Sequence, residues 1–370
     1  AGATDARPED RIYVPLPLYH ATGGVCAIGA ALLNGGSVVL KRRFTVSHFW
    51  DDVVAENCTM FVYIGELCRY LVNQPEHPNE RAHKIRLAFG NGLRPEVWET
   101  LQSRFNIPEI LEFYGATEGN VSMFNFDGKV GAVGRAPRWL RASFNFRIIR
   151  FDVEREEPVR GANGLCIEAA PEEVGECVGR IGADARQAYA GYADKIASEK
   201  KIVHDVFDKG DAFFATGDLM KKDADGYFYF VDRIGDTFRW KGENVSTSEV
   251  AGVLASAPGV KEATVYGVAV DGQEGRAGMA SLVVDGDFDL KAFSALIDAQ
   301  LPAYARPIFL RLQPEIETTG TFKYRKLDLM ADGYDPARTK VPTYFHSSDK
   351  GFIKVTKIVF EKLQAGGYKF

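Results

Sequence analysis

Residues 85–119 read IRLAFGNGLRPEVWETLQSRFNIPEILEFYGATEG, and this stretch gives the clearest indication of the fold. Its first run, IRLAF, is followed by a helical pattern beginning at Pro95, because proline is favoured in the first turn of a helix. A second β-rich run, ILEFYG, comes next. Strands alternating with helices predict a parallel sheet covered on both faces, with ligands at the carboxyl ends of its strands. The glycine-rich segments GNGL (90–93) and YGATEG (114–119) lie at such ends.

The alternation extends back through the first 115 residues and changes near residue 127. From there to residue 230, short runs such as FRIIR and ECVGRI are separated by glycine and proline turns, which predicts an antiparallel or barrel-like section. The segment DRIGD (232–236) then precedes a compact α+β pattern. We therefore predict an α/β protein in which residues 1–232 form a parallel sheet with a barrel-like β section. Residues 233–370 form a smaller α+β domain with a terminal extension.

Composition narrows the class of protein. The 370 residues amount to about two domains of ordinary size. Lys and Arg number 45 against 50 Asp and Glu, and this net charge of −5 argues against a nucleic-acid binder. The 5 cysteines are odd in number and form no CxxC pair, which disfavours a disulfide scaffold or a structural zinc site and favours a reducing compartment. No apolar run approaches the roughly 18 residues of a membrane span.

The segment YGATEG has side chains suited to a nucleotide. The ring of Tyr114 can stack on a purine, and Gly115 beside it allows close backbone approach. Thr117 can donate to a phosphate oxygen. Glu118 can hold Mg²⁺, which prefers one or two carboxylates plus phosphate oxygens. The alternative is a glycine-containing turn after a strand, and the segment alone does not decide between the two.

Three further motifs are ambiguous when taken alone. In ATGDL, Asp218 follows a glycine in a predicted turn and can accept hydrogen bonds from both ribose hydroxyls, but an Asx-turn or helix cap is the favoured explanation of this motif alone. Arg233 of DRIGD either lies near Asp218 in the same site or forms an ion pair at the surface. The segment TTGTFKYRK (318–326) lacks the P-loop pattern, and spacing does not choose between Lys323 and Lys326. His20, in PLYHATGG, is by itself best explained as a structural histidine at a helix start.

The order of these motifs along the chain is informative. Together with YIGELCRYLVNQP (63–75) and DRIGDTFRWKGENVSTSEV (232–250), they resemble the adenylate-forming acyl-CoA synthetase superfamily, and within it the branch of very-long-chain acyl-CoA synthetases and fatty acid transport proteins. The resemblance runs from about residue 11 to the C-terminus. It implies a large domain followed by a small C-terminal domain that rotates about a hinge between two half-reactions.

The resemblance also implies a role for each matching residue. Tyr114 with Gly115 would hold adenine, Thr117 would contact the α-phosphate, and Glu118 would ligate Mg²⁺. Asp218 and Arg233 would hold the ribose, and Lys323 would bridge the acyl carboxylate and the α-phosphate. His20 would gate the acyl tunnel, whose wall would include residues 20–30 and 62–71 near YGATEG. The loop that lines the adenine pocket would comprise Gly90, Asn91, Gly92 and Leu93. The loop used in the CoA step would comprise Lys241, Gly242 and Glu243. The hinge would comprise Gly235 and Asp236.

Many superfamily members place an acid two residues after the hinge arginine. That position is Gly235 here, and Asp236 follows, so the hinge residue itself stays open. The family also carries a Ser/Thr/Gly-rich loop for the β- and γ-phosphates upstream of the region matching PLPLYH, and residues 1–19 do not match it. The resemblance therefore implies that the chain is the C-terminal part of a longer enzyme, with a partial parallel sheet. We expect that it does not turn over ATP alone.

Two functions from different classes follow from the resemblance. The first is a fatty acid–CoA ligase that uses ATP, Mg²⁺ and coenzyme A and forms acyl-AMP before acyl-CoA. The second is a non-catalytic component that binds or takes up fatty acids. Because Glu118, Asp218, Arg233 and Lys323 occur together, the ligase is favoured. The expected location is the cytoplasm, free or peripheral at a membrane, with no nucleic-acid partner. Acyl chain length and oligomeric state are not indicated.

Overall fold

The fold is taken from a computed structural model that describes residues 2–42, 44–115, 119–153, 155–184, 187–189, 191, 195–319, 324–347, 350–368 and 370. Three sheets follow one another along the chain, and each has its own buried apolar cluster. A short hairpin separates the second sheet from the third.

The first sheet has the spatial order β2-β1-β3-β4-β5-β6. Its strands are β1 (Arg11–Val14), β2 (Ser37–Leu40), β3 (Met60–Ile64), β4 (Leu87–Asn91), β5 (Glu109–Gly115) and β6 (Ser122–Asn125). The first five strands pair in parallel, and β6 is antiparallel to β5. Strands such as MFVYI (60–64) are buried almost throughout, as expected where both faces of a parallel sheet are covered. The predicted parallel sheet is confirmed.

Helices connect these strands. They are a π-helix (Ala21–Ala27) continuing into α1 (Ile28–Asn34), a 3₁₀ turn (Val46–His48) continuing into α2 (Phe49–Ala55), α3 (Gly65–Val72) and α4 (Pro95–Phe105). A further 3₁₀ turn (Gly2–Thr4) precedes β1. As predicted, α4 begins at Pro95. Large side chains such as Phe49, Phe61 and Trp98 are fully buried between helices and sheet.

The second sheet is antiparallel, as predicted, with the order β7-β13-β12-β10-β8-β9 and β11 beside β12. Its strands are β7 (Gly134–Arg135), β8 (Phe146–Asp152), β9 (Glu157–Pro158), β10 (Gly175–Arg180), β11 (Ile202–His204), β12 (Ala212–Lys222) and β13 (Tyr227–Arg233). A 3₁₀ helix (Arg138–Ser143) and α5 (Lys195–Glu199) lie in its connections. The adjacent β12 and β13 carry Asp218 and Arg233 to neighbouring positions.

The C-terminal part begins with the hairpin β14 (Phe238–Trp240) and β15 (Glu243–Val245). A five-stranded sheet follows in the order β16-β17-β18-β19-β20. Its elements are β16 (Val260–Val268), β17 (Ala277–Val284), β18 (Phe309–Leu312), β19 (Thr343–Ser347) and β20 (Gly351–Lys354), with helices α6 (Thr247–Ala255), α7 (Leu290–Gln300), α8 (Lys326–Asp332) and α9 (Lys357–Gln364). Ser246 caps α6 by accepting from the backbone N–H of Glu249, the first half of a capping box.

The apolar clusters change near the predicted domain boundary. The buried apolar cluster of the second sheet extends to Phe228, and the apolar cluster of the C-terminal sheet begins at Phe238. This separation supports the division into residues 1–232 and 233–370, which stays a prediction. Among the described residues, we find no helix that is both long and apolar enough to span a membrane.

Candidate active site

Three of the predicted nucleotide-binding residues meet where the first and second sheets come together. At the end of β5, the hydroxyl of Tyr114 donates a hydrogen bond to Oδ2 of Asp218 on β12, at 2.5 Å. Arg233, on β13, lies with its Nε 3.5 Å from Oδ1 of the same carboxylate. Burial and the neighbouring Asp218 raise the pKa of Tyr114, so its hydroxyl stays a donor. These contacts orient a carboxylate that is only 7% exposed.

The prediction that Asp218 sits in a turn is wrong, since it lies inside the eleven-residue strand β12. Gly217 has a φ of +76°, a backbone conformation that favours glycine and bends the strand locally. The pairing with β13 nevertheless continues, because Ile234 donates its N–H to the carbonyl of Gly217 at 3.0 Å. In the sequence, a Thr-Gly-Asp triplet suggests a turn, whereas here it marks an irregularity in a strand.

Two polar side chains hold this irregularity. Thr216 accepts from the N–H of Asp218 through Oγ1 at 3.1 Å and donates to the carbonyl of Cys177 at 2.7 Å. Glu176, on β10, accepts from the N–H of Gly217 at 3.1 Å. Burial raises the pKa of Glu176 to about 7, although the Gly217 hydrogen bond opposes this. The backbone around Asp218 is therefore fixed by partners from the neighbouring strand.

The predicted adenine-pocket loop, Gly90 to Leu93, is tightly built. A Cβ on Gly90 would lie 2.1 Å from the carbonyl oxygen of Tyr63, so only glycine fits there. The loop turns at Gly92, whose φ is +80°. The backbone N–H groups of Gly92 and Leu93 donate to Oε1 of Glu112, at 2.5 and 3.1 Å. Consequently, the carboxyl group of a residue on β5 determines the conformation of the loop after β4.

Glu112 is almost fully buried and was not selected as a site residue. It also accepts a hydrogen bond from the hydroxyl of Tyr63 at 2.6 Å. Burial raises its pKa to about 8, in spite of these three donors. The sequence did contain a signal, because Glu112 interrupts the apolar run ILEFY two residues before Tyr114, on the same face of the strand. An acid inside a buried strand indicates a positioning role.

Replacing Glu112 with glutamine is expected to remove a pH dependence of stability. The folded pKa of about 8 lies above the ordinary value of 4.5, so the folded wild type holds an extra proton between these values and loses stability as pH rises through this window. Glutamine keeps an acceptor oxygen for the loop and does not titrate. Between pH 6 and pH 9, the wild type should lose about 3 kcal/mol of unfolding free energy relative to Glu112→Gln.

Urea unfolding of both proteins at the two pH values measures this shift. Glu109→Gln is the matched control, because Glu109 lies exposed at the start of the same strand. The difference in unfolding free energy between Glu109→Gln and the wild type should be the same at both pH values. If the difference in unfolding free energy between Glu112→Gln and the wild type is also the same at both pH values, the Glu112 carboxyl does not titrate in this range.

The segment bearing His20 borders the same loop. Nδ1 of His20 accepts from the N–H of Thr22 at 3.3 Å, which caps the π-helix Ala21–Ala27. Thr22 in turn donates through Oγ1 to Oδ1 of Asn91 at 3.1 Å. Residues 20–30 thus contact the 90–93 loop, and Tyr63 of the 62–71 segment contacts Glu112 on β5. This arrangement agrees with the expected placement near YGATEG, and the gating role of His20 stays a prediction.

The predicted loop of the CoA step lies elsewhere. Lys241 and Gly242 form the two-residue turn of the β14–β15 hairpin, with φ values of +53° and +82°. Two successive positive φ angles are typical of the tight turns that join antiparallel strands. Glu243 begins β15 opposite Trp240, and Trp240 pairs with Gly275 of the C-terminal part. The structure therefore places Lys241 to Glu243 with the C-terminal core rather than with Tyr114 and Asp218.

The predicted hinge follows β13 directly. The N–H of Asp236 donates to the carbonyl of Arg233 at 3.0 Å, which closes a turn around Gly235. Oδ2 of Asp236 accepts from Nζ of Lys326 at 3.0 Å, and Lys326 also donates to Oγ1 of Thr247 at 3.0 Å. Of the two candidate lysines, Lys326 is thus engaged with the hinge segment.

Asp232 is a further residue that sequence reasoning did not select. It is buried, and its carboxylate accepts from the backbone N–H of Thr247 and from the hydroxyls of Thr247 and Ser248. A carboxylate at the start of α6 also interacts favourably with the helix dipole. The end of β13 and the first helix of the C-terminal part are thereby joined.

Thr117, Glu118 and Lys323 lie outside the described residues, so their predicted roles stay predictions. The structure does describe Gly115, which ends β5 before Thr117, and Tyr324, which follows Lys323 in the sequence. Among the residues that the structure does describe, no group of three or more His, Cys, Asp or Glu side chains is arranged to hold a metal ion.

A parallel sheet, an antiparallel sheet and a small C-terminal α+β part, with Tyr114 and Asp218 meeting between the first two, define an adenylate-forming enzyme fold. Residues 1–170 match the family described as AMP-binding enzyme, and residues 249–323 match the AMP-binding enzyme C-terminal domain. The chain therefore carries an AMP-binding enzyme domain followed by an AMP-binding enzyme C-terminal domain.

Within the family, the chain is similar to long-chain fatty acid transport proteins. It is 45% identical to long-chain fatty acid transport protein 1 of Mus musculus over 98% of this chain and 56% of the relative. It is 44% identical to long-chain fatty acid transport protein 6 of Mus musculus over 96% of this chain and 58% of the relative. The chain therefore spans a little over half the length of these relatives.

Solved structures share the fold. ATP-bound MatB from Rhodopseudomonas palustris superimposes with a TM-score of 0.73 at 22% identity, covering 91% of this chain and 63% of that one. O-succinylbenzoate coenzyme A synthetase (MenE) from Bacillus subtilis, in complex with AMP, gives 0.65 at 23% identity, covering 86% of this chain and 60% of that one. The predicted α/β fold class is confirmed.

Proposed function

We propose that the protein containing this chain is an ATP-dependent fatty acid–CoA ligase. In the first half-reaction, a carboxylate oxygen of the fatty acid bonds to the α-phosphorus of ATP and pyrophosphate leaves, which gives acyl-AMP. In the second, the thiol sulfur of CoA bonds to the acyl carbon and AMP leaves. The observation that carries the proposal is the Tyr114–Asp218–Arg233 cluster beside the 90–93 loop, in a chain of this family.

The cluster is built to bind the adenosine end of the nucleotide. A buried carboxylate at Asp218 can accept hydrogen bonds from both ribose hydroxyls, and such charge-assisted bonds are strong. The Tyr114 hydroxyl is already directed to Asp218, which fixes the ring through its own hydrogen bond. The ring of Tyr114 would then stack on adenine. Arg233 supplies a positive charge near the ribose, and the 90–93 loop lines the base.

The phosphate end of the nucleotide would be bound by residues that lie outside the described ranges. We assign contact with the α-phosphate to Thr117, Mg²⁺ to Glu118, and the bridge between acyl carboxylate and α-phosphate to Lys323. Mg²⁺ usually keeps few protein ligands and takes the rest from phosphates and water, so one glutamate is a sufficient contribution. When bound, Mg²⁺ offsets negative charge on the phosphates. Lys323 would offset charge that develops at the reacting phosphoryl group.

The second half-reaction uses the C-terminal part. We propose that it rotates about the segment Gly235–Asp236 and brings the hairpin turn of Lys241, Gly242 and Glu243 to the site. Lys326 binds Asp236 across this segment and would hold one orientation. The hairpin turn is exposed in the present arrangement, which leaves it available for that movement.

The names of the relatives support a long-chain fatty acid as the substrate. The π-helix that follows His20, ATGGVCA, consists mainly of small and apolar residues. It contacts Asn91 through Thr22, where the acyl chain would enter. We place the protein in the cytoplasm, free or peripheral at a membrane. All 5 cysteines are free, as in a reducing compartment. The alternative function is fatty-acid uptake without catalysis, which the relatives' names also favour.

ATP–pyrophosphate exchange by the full-length protein tests the proposal. With Mg²⁺ and fatty acids of increasing chain length, exchange should depend strictly on an added fatty acid and should be highest for long chains. A radiolabelled fatty acid added in parallel measures binding. Binding without any exchange would support the non-catalytic alternative instead.

A further inference from the structure

A compact polar contact joins the large and small parts of the protein at α3. We call Glu66, Arg69 and Tyr324 the α3 clasp. The hydroxyl of Tyr324 donates to Oε1 of Glu66 at 2.8 Å and accepts from Nη2 of Arg69 at 3.2 Å. Arg69 also binds both carboxylate oxygens of Glu66 through Nε, at 3.1 and 3.0 Å, and donates to the carbonyl of Lys261. The contact spans 258 positions of sequence.

The clasp lies on one face of α3. Glu66 and Arg69 are three residues apart and therefore adjacent on the helix surface. Leu67, Cys68 and Leu71 point instead into the core of the large part. Helix packing thus needs the apolar residues and leaves Glu66 and Arg69 to face the C-terminal part. Glu66 and Arg69 are therefore not needed for the packing of the apolar core.

The clasp is shielded from water. The side chains of Arg69 and Glu66 are 7% and 16% exposed. Burial raises the pKa of Glu66, but hydrogen bonds from Arg69 and Tyr324 outweigh it and hold that pKa below its usual value. Burial and Glu66 raise the pKa of Tyr324, which keeps its hydroxyl a donor. A buried, fully paired set of groups holds a defined geometry, because each would lose much by separating.

The position of the clasp connects it to the candidate active site. Gly65, which precedes Glu66, packs so closely on the adenine-pocket loop that a Cβ there would lie 1.7 Å from the carbonyl oxygen of Gly92. On the other side, Tyr324 directly follows Lys323, and consecutive Cα atoms are about 3.8 Å apart. The clasp therefore anchors the chain next to Lys323 at the edge of the loop.

We propose that Glu66 and Arg69 are positioning residues that hold Tyr324, and through it the segment bearing Lys323, in the orientation used for adenylation. The inference rests on the proposed function, and it adds a requirement: the clasp must open before the thioester-forming step. The contacts that must break are the hydrogen bonds of the Tyr324 hydroxyl to Glu66 and Arg69 and the bond of Arg69 to the carbonyl of Lys261.

Tyr324→Phe tests the clasp, because it removes one hydroxyl and keeps the ring. In the full-length protein, the maximal rate of ATP–pyrophosphate exchange should fall about 10-fold, the effect of losing positioning contacts. The KM for ATP should change less than about 3-fold. The rate of acyl-CoA formation from supplied acyl-AMP should be unchanged or higher. Tyr344→Phe, at a tyrosine of β19 outside the clasp, is the matched control and should leave both rates unchanged.

A second readout does not depend on activity. Spin labels at Glu99→Cys on α4 and Lys291→Cys on α7, in a Cys26→Ser background, report the distance between the two parts by pulsed electron paramagnetic resonance. Wild type should give one dominant distance, and Tyr324→Phe should broaden it or add a second. Glu99 and Lys291 are both exposed, so the labels should not disturb packing.

The possible outcomes distinguish a failure of the proposed α3 clasp from a failure of the proposed ligase function. An unchanged distance distribution with equal loss of both half-reactions, or with no loss, would overturn the clasp while leaving the ligase in place. A wild-type protein without fatty-acid-dependent exchange would overturn the proposed function. The distance measurement would then decide by itself whether the clasp holds the two parts together.

Discussion

Replacing Lys323 with alanine in the full-length protein is expected to lower the rate of acyl-AMP formation by roughly 10²-fold or more, the scale of losing one transition-state charge contact. The ammonium group would offset negative charge as the acyl carboxylate attacks the α-phosphate. Thioester formation from supplied acyl-AMP should stay near the wild-type rate, because that step uses the other orientation of the C-terminal part. Single-turnover assays of each half-reaction measure the two effects separately.

Lys326→Ala is the matched control for Lys323. Its Nζ binds Asp236 of the hinge segment and the hydroxyl of Thr247 at the start of α6. Removing it should loosen the orientation of the C-terminal part and change each half-reaction by less than Lys323→Ala changes adenylation. A larger loss of adenylation in Lys326→Ala, or equal losses of both steps in Lys323→Ala, would contradict the assignment.

The order of elements was predictable because local patterns determine it. Continuous apolar runs bounded by glycine and proline predict buried parallel strands, and β4, α4 and β5 occur where residues 85–115 indicate them. The change to antiparallel pairing after residue 127 was also visible, because short runs between turns are typical of it. Local interactions suffice for such predictions.

The site was predictable only in part. Tyr114, Asp218 and Arg233 come together as the resemblance implied, although Asp218 lies in a bent strand rather than a turn. The supporting acids Glu112 and Glu176 were missed because each sits inside a strand, where sequence periodicity reports burial but not hydrogen-bond partners.

The α3 clasp shows what local patterns omit. YIGELCRYL was informative as a family motif, but its polar residues contact Tyr324, which is 258 positions away from Glu66. Only the packing of the C-terminal part against α3 brings these residues together. A helix surface with an i,i+3 acid–base pair is ordinarily a solvent-exposed ion pair worth little, so nothing in the sequence distinguishes this one.

Asp218→Ala is expected to weaken ATP and AMP binding by a few kcal/mol, which corresponds to a loss of roughly 10²-fold or more in affinity. The buried carboxylate would lose its bonds to the ribose hydroxyls. The Tyr114 hydroxyl would also lose its acceptor, so the ring would be less well fixed. Isothermal titration of AMP into wild type and variant measures the change. Asp218→Asn is the matched variant, because it keeps an acceptor oxygen for Tyr114 and removes the charge.

A thermodynamic cycle with the ligand shows whether the loss arises at the ribose. If Asp218 binds the ribose hydroxyls, 2′,3′-dideoxy-AMP should bind wild type much more weakly than AMP does, whereas Asp218→Ala should bind both nucleotides almost equally. The two changes would then be strongly non-additive, as expected for groups in direct contact. Additive losses would mean that Asp218 acts by supporting Tyr114 alone. Unchanged affinity in Asp218→Ala would make the Tyr114–Asp218 bond a structural link between the two sheets, because the nucleotide would then bind without that carboxylate.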